Sequence, residues 1–179
     1  MKFGNLKFAP AIEHPELLAA PVASALTSLS IADVGVAEID PALSDTAAFC
    51  EKYAVVPAQA ANCVVLKYKK GEESAFVACV ILATTRADVN GLVRKVLDIK
   101  KISFAPMEEA VAGSSMEFGA ITPIGLPANW PILIDKAVVD SPGVIIGSGI
   151  RKSKLGLPGR VLASLPNIQI LEGLGQVKT

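Results

Sequence analysis

The sequence holds few of the residues that metal sites and nucleophilic triads require. It has one histidine, His14, and three cysteines, Cys50, Cys63 and Cys79, with no Cys-x-x-Cys pair among them. A zinc site, which needs several such ligands at close spacing, is not expected. No serine stands in a Gly-x-Ser-x-Gly context, so a serine nucleophile has no support either. Cys63 lies in an apolar run that is typical of a buried thiol, and a small hydrolase using Cys63 is the weaker alternative.

Strong net charge, aromatic clusters and long apolar runs are also lacking. The chain has 17 basic and 17 acidic residues, with 3 basic and 7 acidic in residues 1–60 and 14 and 10 in residues 61–179. This mild basic bias falls short of the pI above about 9 that marks a dedicated nucleic-acid-binding domain. Aromatic residues make up 5% and are scattered, so no base-stacking platform is expected. Without a signal peptide or a membrane-length apolar run, we expect a reducing cytoplasm and no membrane contact.

The remaining pattern predicts an α+β fold. About half of the 179 residues are apolar, which suits one domain over residues 1–179. Alternating residues predict strands at 62–68 and 75–83 around a turn at Gly71, and later strands at 131–138 and 144–149. An amphipathic helix capped by Asp88 follows the hairpin. We therefore expect a mixed β-sheet, partly barrel-like, with flanking helices; residues 1–43 supply an N-terminal helix and strand.

Two glycine-containing loops flank the predicted strands 131–138 and 144–149. The first reads GAITPIGLPANW over residues 119–130, and its prolines make it stiff while its glycines permit close backbone approach. The second, GSGIRKSK over residues 147–154, fails the Walker pattern but can bind phosphate through amides and cations. An ordinary solvated basic turn is the alternative. If the loops converge, they form an amide-lined pocket with cations at its rim, suited to an ester or carboxyl group on a phosphate-bearing carrier.

Several segments, in this order and spacing, resemble the YbaK-type proteins and the prolyl-tRNA synthetase editing domain. These segments are VVPAQAANCVVLKY, VILATTRADVNGLVRKVL, KISFAPMEEAV, MEFGAITPIGLPANWPILID and VIIGSGIRKSKLGL. The resemblance runs from about Ser44 to Leu171, and its most specific part is FGAITPIGLP followed by an apolar strand ending in Asp135. It implies a single α+β domain that hydrolyses the ester joining a wrong amino acid to the 3′-terminal adenosine of tRNA, with no metal and no organic cofactor.

The resemblance also implies roles for the two loops. Loop amides at Gly119, Ala120, Ile121 and Thr122 are expected to face the aminoacyl carbonyl, held in place by Pro123 and Gly125. Gly147, Ser148 and Gly149 are expected to form the other pocket wall. The second loop's polar residues are expected to approach the acceptor end of the tRNA: Arg151, Lys152, Ser153 and Lys154. A second basic cluster, Arg94, Lys95, Lys100 and Lys101, either contacts tRNA or only solvates a helix face.

One position departs from the family pattern. The family has a lysine in the first core strand, in a motif like P-x-Q-[IV]-[VA]-K-[ST]-L, where this chain has Asn62. An amide donates a hydrogen bond but carries no charge, and Lys67, an odd number of residues along the strand, faces the other way. We therefore expect a free-standing trans-editing deacylase that acts on the acceptor end of mischarged tRNA, with a synthetase as a conceivable partner. The alternative is a catalytically weak or inactive module that binds tRNA or an aminoacyl ligand.

Overall fold

The computed structural model describes residues 2–177. The strands are β1 Ala9–Pro10, β2 Gly35–Glu38, β3 Ala61–Lys70, β4 Glu73–Leu82, β5 Thr85–Ala87, β6 Ile102–Phe104, β7 Ile132–Asp135, β8 Val144–Gly147, β9 Ser153–Leu157, β10 Ile168–Leu171 and β11 Gly175–Val177. The α-helices are α1 Ala20–Ser28, α2 Thr46–Tyr53, α3 Arg94–Leu97, α4 Met107–Ser114 and α5 Lys136–Val139. Short 3-10 helices cover Ala11–Glu13, Pro15–Leu17, Pro41–Leu43, Pro57–Gln59 and Gly159–Ser164, and a π-helical turn, Val89–Val93, leads into α3.

The strands form two main sheets. The larger has the order β10-β7-β4-β3-β6, with parallel pairs on the β10-β7-β4 side and antiparallel pairs on the β4-β3-β6 side. The smaller has the order β1-β2-β9-β8 and is antiparallel throughout, and β5 pairs with β11. Within the described residues a bridge between Ala60 and Ile145 links the main sheets at one corner, and neither sheet closes into a barrel. The predicted α+β fold with a mixed sheet is confirmed.

Helices cover both faces of the larger sheet. Because successive strand residues point to opposite faces, Leu66 of β3 packs with Val93, next to α3, whereas its neighbour Val65 packs with Ala110 of α4. The predicted hairpin is present, with Gly71 at its turn. Asp88 caps the next helix as predicted, because its carboxylate accepts hydrogen bonds from the amides of Gly91 and Leu92. Site residues on the α4 face and on the α3 face are thus separated by a sheet.

Three sequence predictions near the loops differ from the structure. The predicted strand 131–138 is β7 followed by α5, because Asp135 accepts a hydrogen bond from Ala137 N and so starts a helix. The predicted strand 144–149 ends at Gly147. Part of the segment predicted as a basic turn is instead β9, whose five residues are all buried. Lys154 therefore sits in a strand inside the protein and not on a surface loop.

Candidate active site

A cavity of about 420 Å³ lies where the two sheets separate. Ala60, the residue before β3, is bridged to Ile145 of β8, and β3 pairs with β6 from Leu66 onward. Within the described residues, the part of β3 between these points has no strand partner on that side. We call this space the loop cavity; its lining comes from β3, the start of α2, β6, α4, and both glycine loops. The lining residues are Ser44, Asp45, Thr46, Ala61, Asn62, Cys63, Val64, Val65, Phe104, Ala105, Met107, Ala110, Phe118, Gly119, Ile121, Gly147 and Lys154.

The Gly/Pro loop presents alternate residues to the loop cavity. Gly119, at φ +78°, and Ile121 line it, while Ala120 and Thr122 are buried behind them. Two loop amides are already engaged: Ala120 N donates to Glu117 O at 3.0 Å, and Thr122 N lies 3.5 Å from Met116 Sδ. Within residues 2–177, the amides of Gly119 and Ile121 have no hydrogen-bond partner. Of the four amides expected to face a carbonyl, these two remain available.

The two glycine loops are in direct contact. Gly149 N donates to Ala120 O at 2.9 Å, and a Cβ on Gly147 would lie 2.3 Å from the same oxygen. Any side chain at position 147 would therefore push the Gly/Pro loop away. On the other side, a Cβ on Gly125 would lie 2.5 Å from the carbonyl oxygen of Pro21. The Gly/Pro loop, which also holds the buried Pro123, is thus fixed between the second loop and the start of α1.

The serines of the second loop serve the loop itself. The Ser153 hydroxyl donates to Leu17 O at 2.5 Å and lies 2.7 Å from the Ser148 hydroxyl. The Ser148 hydroxyl is 3.0 Å from both Ile150 O and Ser153 O. Both side chains are buried and neither lines the loop cavity. Their hydroxyls hold the shape of the turn, in which Gly149 has φ +84°.

The three cations of the second loop occupy three different environments. The Arg151 guanidinium donates to Phe118 O at 3.3 Å and to Pro41 O at 3.0 Å, so it ties two segments together. Lys152 is exposed and lines a second cavity, of about 770 Å³, beside Arg151 and Phe118. Only Lys154 lines the loop cavity.

Lys154 is a buried lysine without a carboxylate partner. Its side chain crosses from β9 to the start of α2, and the residue is 8% exposed. The ammonium Nζ donates to Ser44 O at 3.0 Å and lies 5.3 Å from the centre of the Phe49 ring. No carboxylate of the described residues lies within 4 Å of it. Burial lowers the pKa of Lys154 to about 8, although the nearby Cys50 and Asp45 oppose this effect.

Asn62 stands on the wall of the loop cavity and is held by α2. Its Oδ1 accepts a hydrogen bond from Thr46 Oγ1 at 2.8 Å, which leaves the amide NH₂ group without a partner among residues 2–177. Lys67, farther along β3, makes an ion pair with Glu109 at 2.6 Å and does not line the loop cavity. Among the described residues, Lys154 is therefore the only cation in the lining of the loop cavity.

Cys63 lines the loop cavity but lacks the surroundings of a nucleophile. Burial, together with the neighbouring Cys79, raises the pKa of the Cys63 thiol far above its usual value, so the thiolate is disfavoured. Burial likewise raises the pKa of Cys79 to about 12. The single histidine, His14, is not among the lining residues and makes a 3.0 Å contact with Glu16. The geometry thus disfavours the Cys63 alternative.

Other lining residues were not identified from the sequence. Phe104, Met107 and Phe118 come from three separate segments, and no periodicity links them. The aromatics looked scattered in the sequence, yet two of them meet at this one cavity. Ser44 is 2% exposed, and its hydroxyl has no partner within the part of the chain that is described. The next residue, Asp45, caps α2 by accepting a hydrogen bond from Ala47 N.

In residues 2–177, no group of three or more His, Cys, Asp or Glu side chains is placed to hold a metal ion. Within the same range, no helix combines the length and the apolar character that crossing a membrane requires.

The chain belongs to the aminoacyl-tRNA editing domain family, which its sequence matches over residues 40–165. Similar solved structures include a candidate trans-editing enzyme for prolyl tRNA synthetase, with 18% identity, a TM-score of 0.75, and coverage of 88% of this chain and 96% of that one. The hypothetical protein APE2540 has 15% identity, a TM-score of 0.75, and coverage of 87% and 99%. An epitope-grafting scaffold protein has 18% identity, a TM-score of 0.73, and coverage of 88% and 97%. None of the proteins with curated descriptions matches this sequence. At these identities the structures show a shared fold.

Proposed function

We propose that this protein hydrolyses the ester of mischarged aminoacyl-tRNA in trans, in a reducing cytoplasm. Water attacks the ester carbonyl carbon, the bond to the ribose oxygen breaks, and that oxygen takes a proton. The products are the free amino acid and a tRNA with a free terminal hydroxyl. The observation that carries this proposal is the pair of unpaired amides, Gly119 N and Ile121 N, on the wall of a cavity that also holds the Lys154 ammonium.

The chemistry needs donors aimed at the oxygen on which charge develops. Fixed backbone amides stabilise such an oxyanion without reorganising during the reaction. Here the loop that carries them is fixed by Gly147, Gly149 and Pro21, as its contacts show. Lys154 adds a positive charge in a mostly buried setting, where water weakens it less than at the surface. No protein nucleophile is required, which fits the raised pKa of the Cys63 thiol.

The direct test is deacylation of purified Ala-, Cys- and Ser-tRNA, each mischarged on a non-cognate tRNA. Loss of the ester is followed over time with and without enzyme, first in the absence and then in the presence of a synthetase. We expect at least one of these substrates to be hydrolysed without a synthetase. If high enzyme concentrations hydrolyse none of them in either condition, the hydrolase proposal is wrong.

Asn62 favours a second candidate, a module that binds aminoacyl-tRNA without turnover. In that case Asn62→Lys restores a missing charge and should create activity. Under our proposal Lys154 already supplies the charge, and a second ammonium in the same small cavity repels it. We therefore expect Asn62→Lys to leave deacylation unchanged or to lower it several-fold, measured beside tRNA binding by gel shift. Wild-type binding without hydrolysis, together with activity gained by Asn62→Lys, would establish the binding module instead.

Binding of tRNA should depend moderately on salt. If three to five phosphates are contacted, log K should fall with log salt with a slope of roughly −2 to −4. Lys152, exposed beside the second cavity, is the preferred contact, and Lys152→Ala should reduce this slope by about 1. Lys95→Ala is the control, since α3 packs on the sheet face away from the loop cavity. A flat salt dependence in the wild type would point to a small-molecule substrate.

A further inference from the structure

Three exposed apolar side chains surround the mouth of the loop cavity. Phe104 is 70% exposed, Phe118 58% and Met107 52%, and all three line this cavity. They come from β6, the segment before Gly119, and α4, respectively. Phenylalanine is usually buried in a folded protein, so two exposed rings at one opening call for a ligand with an apolar face.

Both rings project from backbone that is held in place. Phe118 O accepts from Arg151, and the preceding Glu117 N donates to Gly149 O at 2.8 Å. Phe104 pairs with Leu66 in the sheet, and the next amide, Ala105 N, donates to Val65 O at 3.0 Å. Neither ring packs against another aromatic ring of the described residues. Each ring is therefore largely exposed on a fixed support.

Phe118 also separates the loop cavity from the second cavity. On the far side of Phe118 lie Arg151 and Lys152. The Lys152 ammonium makes no hydrogen bond or ion pair within residues 2–177, although Glu16 lies close enough to interact with it electrostatically. The two carboxylates of the second cavity are engaged, Glu117 by the backbone amide of Arg151 and Glu16 by His14. The Lys152 ammonium, the exposed Phe118 ring and the loop cavity are thus neighbours on the surface.

We propose that Phe118, with Phe104, forms a stacking platform for the unpaired bases at the 3′ end of tRNA, with Lys152 contacting the backbone of the same strand. Single-stranded RNA is bound in this way, by bases stacked on aromatic rings and phosphates tracked by cations. This inference rests on the proposed function, and it assigns recognition of the bases to two aromatic residues outside the two glycine loops. It explains how a cavity lined largely by apolar side chains selects an ester on tRNA over a free amino acid ester.

The experiment measures binding of the trinucleotide CCA by isothermal titration calorimetry. Phe118→Leu keeps an apolar side chain but removes the aromatic face, and Phe118→Tyr keeps the face. We expect Phe118→Leu to weaken CCA binding about 10-fold or more and Phe118→Tyr to stay within about 2-fold of wild type. Ile12→Ala, at another exposed apolar residue, is the control and should change nothing. Melting temperatures of all variants are compared to confirm folding.

The possible results separate this inference from the proposed function. CCA binding that depends on Phe118, without any tRNA deacylation, would keep the stacking platform and remove the hydrolase. If the wild type deacylates tRNA but does not bind CCA at millimolar concentration, the stacking platform is wrong and the hydrolase proposal stands. The same conclusion follows if the wild type deacylates tRNA and Phe118→Leu binds CCA as tightly as the wild type does. Self-association of the wild type that Phe118→Ser abolishes would assign the rim to a second copy of the chain and also overturn it.

Discussion

Gly119→Ala is expected to lower the deacylation rate by about 10²–10³-fold, the usual cost of losing one oxyanion donor. Gly119 has φ +78°, a conformation that an alanine adopts only with strain. An added Cβ would also lie 3.1 Å from Arg151 Nη1, the group that holds the Phe118 carbonyl. The loop must relax, and small movements of Gly119 N and Ile121 N misalign both available amides.

The same substitution should cost stability by a separate and smaller route. The left-handed conformation costs a non-glycine residue about 1–2 kcal/mol, so Gly119→Ala should lower the free energy of unfolding by that amount. Gly173→Ala is the matched control, because Gly173 has φ +76° and does not line the loop cavity. Apart from its chain neighbours, no atom of the described residues would lie within 4 Å of an added Cβ there. We expect similar melting temperatures for the two variants but a loss of deacylation only in Gly119→Ala. Normal deacylation by a well-folded Gly119→Ala would show that the loop is only structural.

Lys154→Met is expected to lower kcat/KM for deacylation by roughly 10–150-fold. A hydrogen bond to a charged group contributes about 1.5–3 kcal/mol, and each 1.4 kcal/mol is about tenfold. Lys154 is the cation that lines the loop cavity, and it faces the same space as the free amides. Lys67→Met is the control, because Lys67 pairs with Glu109 outside this lining and its loss should change kcat/KM little. Equal rates for both variants would exclude a role for Lys154.

The pH dependence of kcat/KM distinguishes two roles for Lys154, a positive charge that stabilises the transition state and a neutral amine that acts as a general base. With a pKa of about 8, the charge is lost as pH rises through that value, so wild-type kcat/KM should fall there after uncatalysed hydrolysis is subtracted. The amine of the aminoacyl group titrates nearby, at about 7.7–8.0, so the informative quantity is the difference between the profiles of wild type and Lys154→Met. An enzyme-specific rise through pH 8 that needs Lys154 would instead make its neutral amine a general base.

The free energy of unfolding should rise with pH over the range in which kcat/KM falls. Between about pH 8 and 10.5 the unfolded chain keeps the Lys154 proton while the folded protein releases it. The free energy of unfolding therefore rises with pH across this window, and below it the cost of burying the ammonium is present in full. Lys154→Met has no such group. The free energy of unfolding of Lys154→Met relative to that of the wild type, measured by urea denaturation, should therefore decrease as pH rises from 7 to 10.

The sequence was sufficient for the fold and for locating the two loops, but not for the environment of individual side chains. Asp88 and Gly71 carry local signals, a cap and a turn, that do not depend on distant contacts. Lys154 carries no such signal: beside Arg151 and Lys152 it looks like part of a solvated basic turn. Its burial results from pairing of β9 with β2 and β8, which local patterns cannot show.

The sequence was likewise insufficient to predict which residues of the two loops line the cavity. Gly119 and Ile121 line the cavity, whereas Ala120 and Thr122 lie behind it. The amides of Ala120 and Thr122 are held by Glu117 and Met116, and these contacts cannot be seen in the sequence. Ser148 and Ser153 resemble ligand-binding residues in the sequence, but their hydroxyls are used by chain carbonyls. Phe104 and Phe118 are brought together only by the path of β6 beside β3 and by the Arg151 contacts.

Both glycine loops are supported from behind by residues that precede the family match, which begins at residue 40. Ala19 N donates to Ser148 O at 3.1 Å, the Ser153 hydroxyl reaches Leu17 O, and Gly125 rests against the carbonyl of Pro21. The portion of the chain that sequence comparison recognises is therefore smaller than the portion that must stay intact for the loops to keep their shape. A change in residues 17–21 that displaced these backbone atoms would therefore disturb both loops, although it lies outside the matched residues.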